Sequence, residues 1–154
     1  MNGNDQLLSG ETASELPVVD AAEALPITVK QKWQGAVTEG SGFVAIPMAL
    51  LRLQTKLNLT PTDMVVLVNL LAHWWDPARA VFPRSNTIAA RMGVAKRTVQ
   101  RSTQKMMKAG LIDRMFLEHG GAKRRAFQFT PLAARLAKDI NLSYQLAGKE
   151  SLGA

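Results

Sequence analysis

The chain has 154 residues, 47% of them hydrophobic, with no cysteine, two histidines and a net charge of +7. That length suits one domain with a real core, and the lack of cysteine excludes disulfides and cysteine-ligated zinc or iron–sulfur sites. With only His73 and His119 available, no metal site and no cofactor is expected.

No apolar run approaches the roughly 18 residues a membrane span requires. No basic region followed by an apolar stretch marks a signal peptide. The expectation is a cytoplasmic, nucleoid-associated protein with no membrane partner. The charge is unevenly placed. Residues 1–40 hold six acids (Asp5, Glu11, Glu15, Asp20, Glu23, Glu39) against Lys30 and Lys32, a net of −4. Between Arg84 and Arg125 eleven bases face only Asp113 and Glu118, a net of +9. Such a concentrated field attracts polyanions.

Residues 1–40 show no sustained period of 3.6 or 2 and read as an acidic, disordered N-terminal tail. Within them, Leu16–Val19 and Ala21–Leu25 are short enough to form only transient structure. The ordered domain spans 41–140. It starts with Phe43-Val44-Ala45-Ile46, a brief strand or an extended lead-in closed by Pro47. From Pro47 onward, Met48, Leu51, Leu53 and Leu57 suggest a first helix with Pro47 in its first turn. Thr60-Pro61-Thr62-Asp63 is a strong second start. Thr60 caps, Pro61 has no N–H to lose, and Asp63 complements the helix dipole. The following Met64–Ala72 run is apolar nearly all round, as a central buried helix requires. Trp74 and Trp75 pack at the core's edge, and Asp76-Pro77 ends the helix.

The segment Ser85–Arg101 has a helix-turn-helix layout. Ala89 and Ala90 allow a second helix to cross a short first one (Thr87 to Met92). Gly93 supplies the tight turn, Val94 plugs the gap, and Val99 anchors the second helix. That second helix runs from Lys96 to Ala109 and stops at Gly110. At 100° per residue, Val99, Thr103 and Met106 share its inner face, with Ser102 also turned inward. Arg97, Arg101, Gln104, Lys105 and Lys108 share its outer face, which contains no acid. A solvated helix normally mixes signs; four bases and a Gln suit a major groove, where Arg pairs with guanine, Gln with adenine and Lys with phosphates.

After Gly110 the period changes. Leu111–Glu118 and Arg125–Phe129 read as two strands joined by a glycine-rich turn, 119–124, forming a wing whose tip carries Lys123, Arg124 and Arg125. A last helix runs from Leu132 to Ile140. Residues 141–154 read as a flexible C-terminal tail. The fold class is therefore mainly α with a small β-hairpin, a winged helix-turn-helix.

Several segments also resemble a family. They are Phe43–Pro47, Leu59-Thr60-Pro61, Phe82–Ser85 leading into Ile88–Val94, Arg97–Arg101, and Lys108–Ile112. Together they resemble winged helix-turn-helix proteins of mobile elements, including DNA-binding domains of phage and plasmid replication proteins and small regulators. The resemblance implies a module that binds an origin or an operator. Where many relatives carry Ser, this chain has Ala95, which leaves the recognition helix without a hydroxyl cap.

The expected DNA contacts are Ser85, Asn86, Lys96, Arg97, Thr98, Gln100, Arg101, Gln104, Lys105, Lys108, Lys123, Arg124 and Arg125. The leading expectation is a transcriptional regulator that binds one double-stranded operator. It would act as a homodimer, by the usual match of two-fold proteins to palindromes. A second is a replication or partition protein that binds origin repeats. A third is a protein-interaction module whose acidic tail engages a protein partner. No enzymatic role and no catalytic residue is expected. The chain has no phosphate loop, no H-E-x-x-H and no nucleophile elbow, and Asp113 and Glu118 should face opposite sides of the wing.

Overall fold

The computed structural model describes residues 27–37 and 42–152, which fall into two units, one before and one from Val44. Leu16–Val19, Ala21–Leu25 and most of the acidic segment lie outside the described residues. Within the first unit, α1 (Ile27–Trp33) is followed by a 3-10 turn at Gln34–Ala36. The sequence reading assigned no helix here. Seven residues are too few for a 3.6 period to register. What favours the helix is local: Lys30 and Lys32 fall in its last turn, against the carbonyl end of the dipole.

The second unit begins without regular structure, and Phe43–Ile46 forms no strand. Helix α2 (Met48–Leu53) follows Pro47, and a tight turn returns the chain through Leu57 and Leu59. The face expected to be inside is rotated: Leu50, Leu53 and Leu57 are buried, whereas Met48 and Leu51 are exposed. The helix is only six residues long, so its inner face is set by where α6 lies and not by the apolar count.

Helix α3 (Pro61–Leu71) opens with a full capping box. The Asp63 N–H donates to Thr60 Oγ1 (3.2 Å), and the Thr60 N–H donates to Asp63 Oδ2 (2.9 Å). Met64, Val66, Leu67 and Leu70 enter the core; Val65 stays half exposed, because α4 and α5 cover only part of the helix. Trp74 packs its ring 5.6 Å from that of the fully buried Phe129. Trp75, expected to pack with it, points outward and is 74% exposed.

Helices α4 (Ser85–Met92) and α5 (Lys96–Lys108) are the helix-turn-helix. Each ends in the same device. Val94 N–H reaches back to Ala89 O (3.0 Å) and Gly93 N–H to Ala90 O, just as Leu111 N–H reaches Met106 O and Gly110 N–H reaches Met107 O. This Schellman pairing requires a left-handed residue, and Gly93 supplies it at φ 66°. Ile88, Ala89, Val99 and Met106 then close the core between the two helices.

The wing is a hairpin of β1 (Asp113–His119) and β2 (Ala122–Gln128), antiparallel and in register from Asp113↔Gln128 to His119↔Ala122. The six-residue turn expected at 119–124 is in fact two residues, Gly120-Gly121, both at positive φ. Two such glycines allow the primed turn that matches strand twist, so pairing continues to the tip. A third short stretch joins at the base, where Val81 and Phe127 exchange backbone hydrogen bonds of 2.8 Å.

Helix α6 (Thr130–Leu152) runs twelve residues past the expected end at Ile140 and takes in most of the segment read as a tail. Leu142, Tyr144, Gln145, Leu146 and Ala147 are adequate helix formers, and no proline interrupts them. Local contacts support the extension. Ser143 Oγ donates to Asp139 O, and Arg52 donates to the Tyr144 hydroxyl (3.1 Å). Asp139 is buried between Arg135 (2.8 Å) and Lys56 (3.7 Å), which ties α6 to the turn after α2. The Arg135 hydrogen bond holds its carboxyl below the usual carboxylate range.

Space around Gly93 is open, so an added Cβ meets no atom within 4 Å and only the backbone resists substitution. Gly93→Ala should therefore destabilise the domain by about 1–2 kcal/mol. Gly93→Asn should cost distinctly less, because Asn tolerates this region. Denaturant midpoints measured at constant m-value would check both.

Candidate nucleic-acid interface

Helix α5 shows a different chemistry on each side, because neighbours occupy two of its flanks. Val99, Ser102, Thr103 and Met106 are buried. Arg97, Arg101, Gln104 and Lys108 stand exposed on the side away from the core, as the 100° step predicts. Lys96 and Gln100 turn toward the wing and line a cleft with Pro83, Arg84, Ser85, Asn86, Thr87, Arg125 and Phe127. The cleft measures about 550 Å³. A second hollow of about 260 Å³ adjoins it along the helix, where Thr103, Gln104 and Met107 face Arg114 and Arg125. No carboxylate lines either one.

The fourth side of α5 meets α3. Ser102 Oγ donates to Asp63 Oδ1 (2.6 Å), and Lys105 Nζ donates to Asp63 Oδ2 (2.6 Å). The small Ser102, where a larger apolar side chain is common, is thus explained by a polar partner in the gap. Burial pushes the Asp63 carboxyl up. The hydrogen bonds from Lys105, Ser102 and Thr60 outweigh that and hold it at about 2. On the neighbouring face, Arg91 of α4 donates to Asn69 Oδ1 of α3 (2.9 Å).

Both helices that point into the larger cleft start without a side-chain cap. Arg84 precedes α4 and Ala95 precedes α5, and neither side chain accepts a hydrogen bond from its helix; only their backbone carbonyls do. The positive ends of two dipoles therefore add to the cationic side chains around the cleft.

The expected contact residues separate into groups. Ser85, Asn86, Lys96, Gln100 and Arg125 meet at the cleft, with Gln104 at the adjoining hollow. Arg97, Arg101 and Lys108 form the exposed ridge beside them. Thr98 is half-buried, and the Lys105 ammonium is engaged by Asp63. The three wing bases are not gathered on one face of the hairpin. They lie on β2, where alternation puts Lys123 and Arg125 on one face and Arg124 on the other. Sequence reasoning missed Arg84 and Arg114, both of which line the hollows. Arg114 was detectable in principle from strand alternation once the register was known. Among the described residues no group of three His, Asp or Glu side chains could hold a metal ion, and no helix is long and apolar enough to cross a membrane.

Asp63 has a depressed carboxyl in the fold and an ordinary value of 3.8. Its contribution is present above about pH 4 and is lost as pH falls toward about 2. Asp63→Asn should lower stability at neutral pH and flatten that acid limb. Thermal or urea unfolding from pH 2 to pH 6, compared with the parent chain, reads both effects.

No curated protein matches this chain. A solved structure that it resembles is the N-terminal domain of the DnaD protein from Geobacillus kaustophilus HTA426. The identity is 18%, the match covers 81% of this chain and 98% of that one, and the TM-score is 0.56. A possible transcriptional regulator from Methanosarcina mazei Go1 is more distant, at 20% identity over 65% of this chain and 82% of that one, with a TM-score of 0.43. The profile of the DnaD N-terminal domain matches residues 46–146, which take in all the helices from α2 to α5, the wing and most of α6. The chain is a winged helix and belongs to the DnaD N-terminal domain family.

Proposed function

We propose that this chain binds double-stranded DNA as the DNA-contacting module of a replication-initiation system. The ridge of α5 enters the major groove, where Arg97, Arg101 and Gln104 meet base edges and Lys108 meets a phosphate. The cleft beside it takes the flanking backbone strand, held by Arg84, Lys96 and Arg125 and by the two uncapped helix starts. The observation that carries this reading is the composition of that surface. Four cations line the two hollows, three more stand on the ridge, and no carboxylate is among the lining residues. A face kept only for solubility would carry both signs.

Membership of the DnaD N-terminal domain family favours replication over the promoter-binding regulator that the sequence reading put first. Both readings share the same docking geometry. They differ in the sites bound: repeats at an origin against a single operator. The homodimer remains part of the proposal on symmetry grounds alone.

Selection of bound duplexes from a random pool near physiological salt tests the proposal. An enriched motif is expected, repeated at an origin when mapped back to DNA. Arg97→Ala or Arg101→Ala should cost about 1–3 kcal/mol on that motif and relax its base preference. Lys96→Ala or Arg125→Ala should instead weaken all sequences alike and reduce the salt slope by about 1 each. Binding without salt dependence, or unchanged by all four substitutions, would refute it.

A further inference from the structure

Phe116 is left unexplained by a duplex-binding wing. It lies mid-strand in β1, 52% exposed, although six of its neighbours in the hairpin are charged. Its placement is specific. Phe116 pairs directly with Arg125, and alternation puts Arg114 and Glu118 on its own face, with Phe127 and Lys123 opposite them. That is the face turned to α5, because Arg114, Arg125 and Phe127 line the hollow shared with Gln100 and Gln104. The Arg114 guanidinium lies 5.6 Å from the ring centroid of Phe116. An exposed aromatic ring therefore sits among Arg114, Arg125 and Lys123, with Glu118 the one acid on that face.

We propose that Phe116 is a stacking platform for an unpaired DNA base, so that the wing binds single-stranded DNA beside the duplex site. The inference rests on the DNA-binding reading of this face and deepens it. Within a duplex both faces of each base are covered by the next pair, so a ring can stack only on a base that has left the helix. An aromatic ring within a cationic groove is the arrangement that takes single strands without strict sequence preference: the ring meets the base and the cations follow the backbone. Arg114 adds a planar guanidinium that stacks in the same way.

A second copy of the chain is the competing occupant for an exposed apolar residue. Charge argues against it. A two-fold contact would press together two faces that each carry Arg114, Arg125 and Lys123 against the single acid Glu118, whereas a phosphodiester strand neutralises the excess.

The test is fluorescence anisotropy with a labelled oligothymidylate of about 16 nucleotides and, in parallel, a blunt duplex. Thymines stack weakly on one another and leave their faces available. Phe116→Leu, which keeps apolar bulk but removes the π face, should weaken single-strand binding about tenfold. Phe116→Trp should retain or improve it, and duplex affinity should stay within about twofold for both. Circular dichroism and sedimentation velocity follow folding and association state. Equal single-strand affinity for the parent and Phe116→Leu overturns the inference and leaves the duplex proposal standing. Dissociation of a self-associated species by Phe116→Leu, with single-strand affinity unchanged, assigns the ring to a contact between copies. Failure of the parent chain to bind either DNA overturns both readings.

Discussion

Helix α5 is held at its angle by one carboxylate. Asp63 closes the capping box of α3 through Thr60 and, with its other contacts, binds Ser102 and Lys105 on α5. A side chain at the third position of one helix thereby sets the roll of another. Asp63 and Ser102 are buried, with Lys105 reaching in from the surface, and the hydrogen bonds are directional. Oδ1 takes the hydroxyl, Oδ2 takes the ammonium and the Thr60 N–H, and little freedom remains for α5 to rotate about its own axis. Apolar packing through Val99 and Met106 supplies the attraction between these helices but tolerates small rotations; a charge-assisted hydrogen bond does not.

The electrostatics of the exposed surface follow from that roll. Eleven bases between Arg84 and Arg125 would form a diffuse field if spread evenly. Rotation of α5 and the register of the wing sort them instead. Arg84, Lys96, Arg114 and Arg125 collect in the hollows, Arg97, Arg101 and Lys108 stand on the ridge, and Arg124 faces away. Low-dielectric walls from Phe127, Pro83 and Met107 concentrate the field within the hollows. The cations are therefore divided between the hollows beside α5 and the ridge on its exposed side.

Much of this was legible from local signals. The Thr60–Asp63 box, Gly93 and Gly110 each demand a residue type for a steric or hydrogen-bonding reason within a few positions, and the helix-turn-helix followed from them. The inner face of α5 was likewise read from its period. What was not legible depends on separation. Asp63 and Ser102 are 39 positions apart, and no periodicity links them, so the small Ser102 could be read only as looser packing or as a gap that some neighbour fills, without naming Asp63. Met48 and Leu51 were placed inside because a six-residue helix satisfies several apolar faces equally well. The wing turn was read too long because Ala122, Lys123 and Arg124 have little strand propensity; their pairing comes from the ladder that Gly120-Gly121 starts. The end of α6 was set too early because residues 141–149 are exposed and show no apolar stripe against the core.

The tightness of the wing turn also constrains how relatives of this chain can diverge. The ladder is paired right up to its two glycines, so the hairpin has no slack in which to absorb a change of length. A single residue gained or lost at the turn would shift the register by one and exchange the faces of a strand, replacing Phe116 and Arg114 with Leu117 and Met115 on the side toward α5. Paired insertions would lengthen the hairpin without that exchange. Drift in wing length should therefore proceed in steps of two, and a homologue with an odd step is expected to carry a compensating bulge.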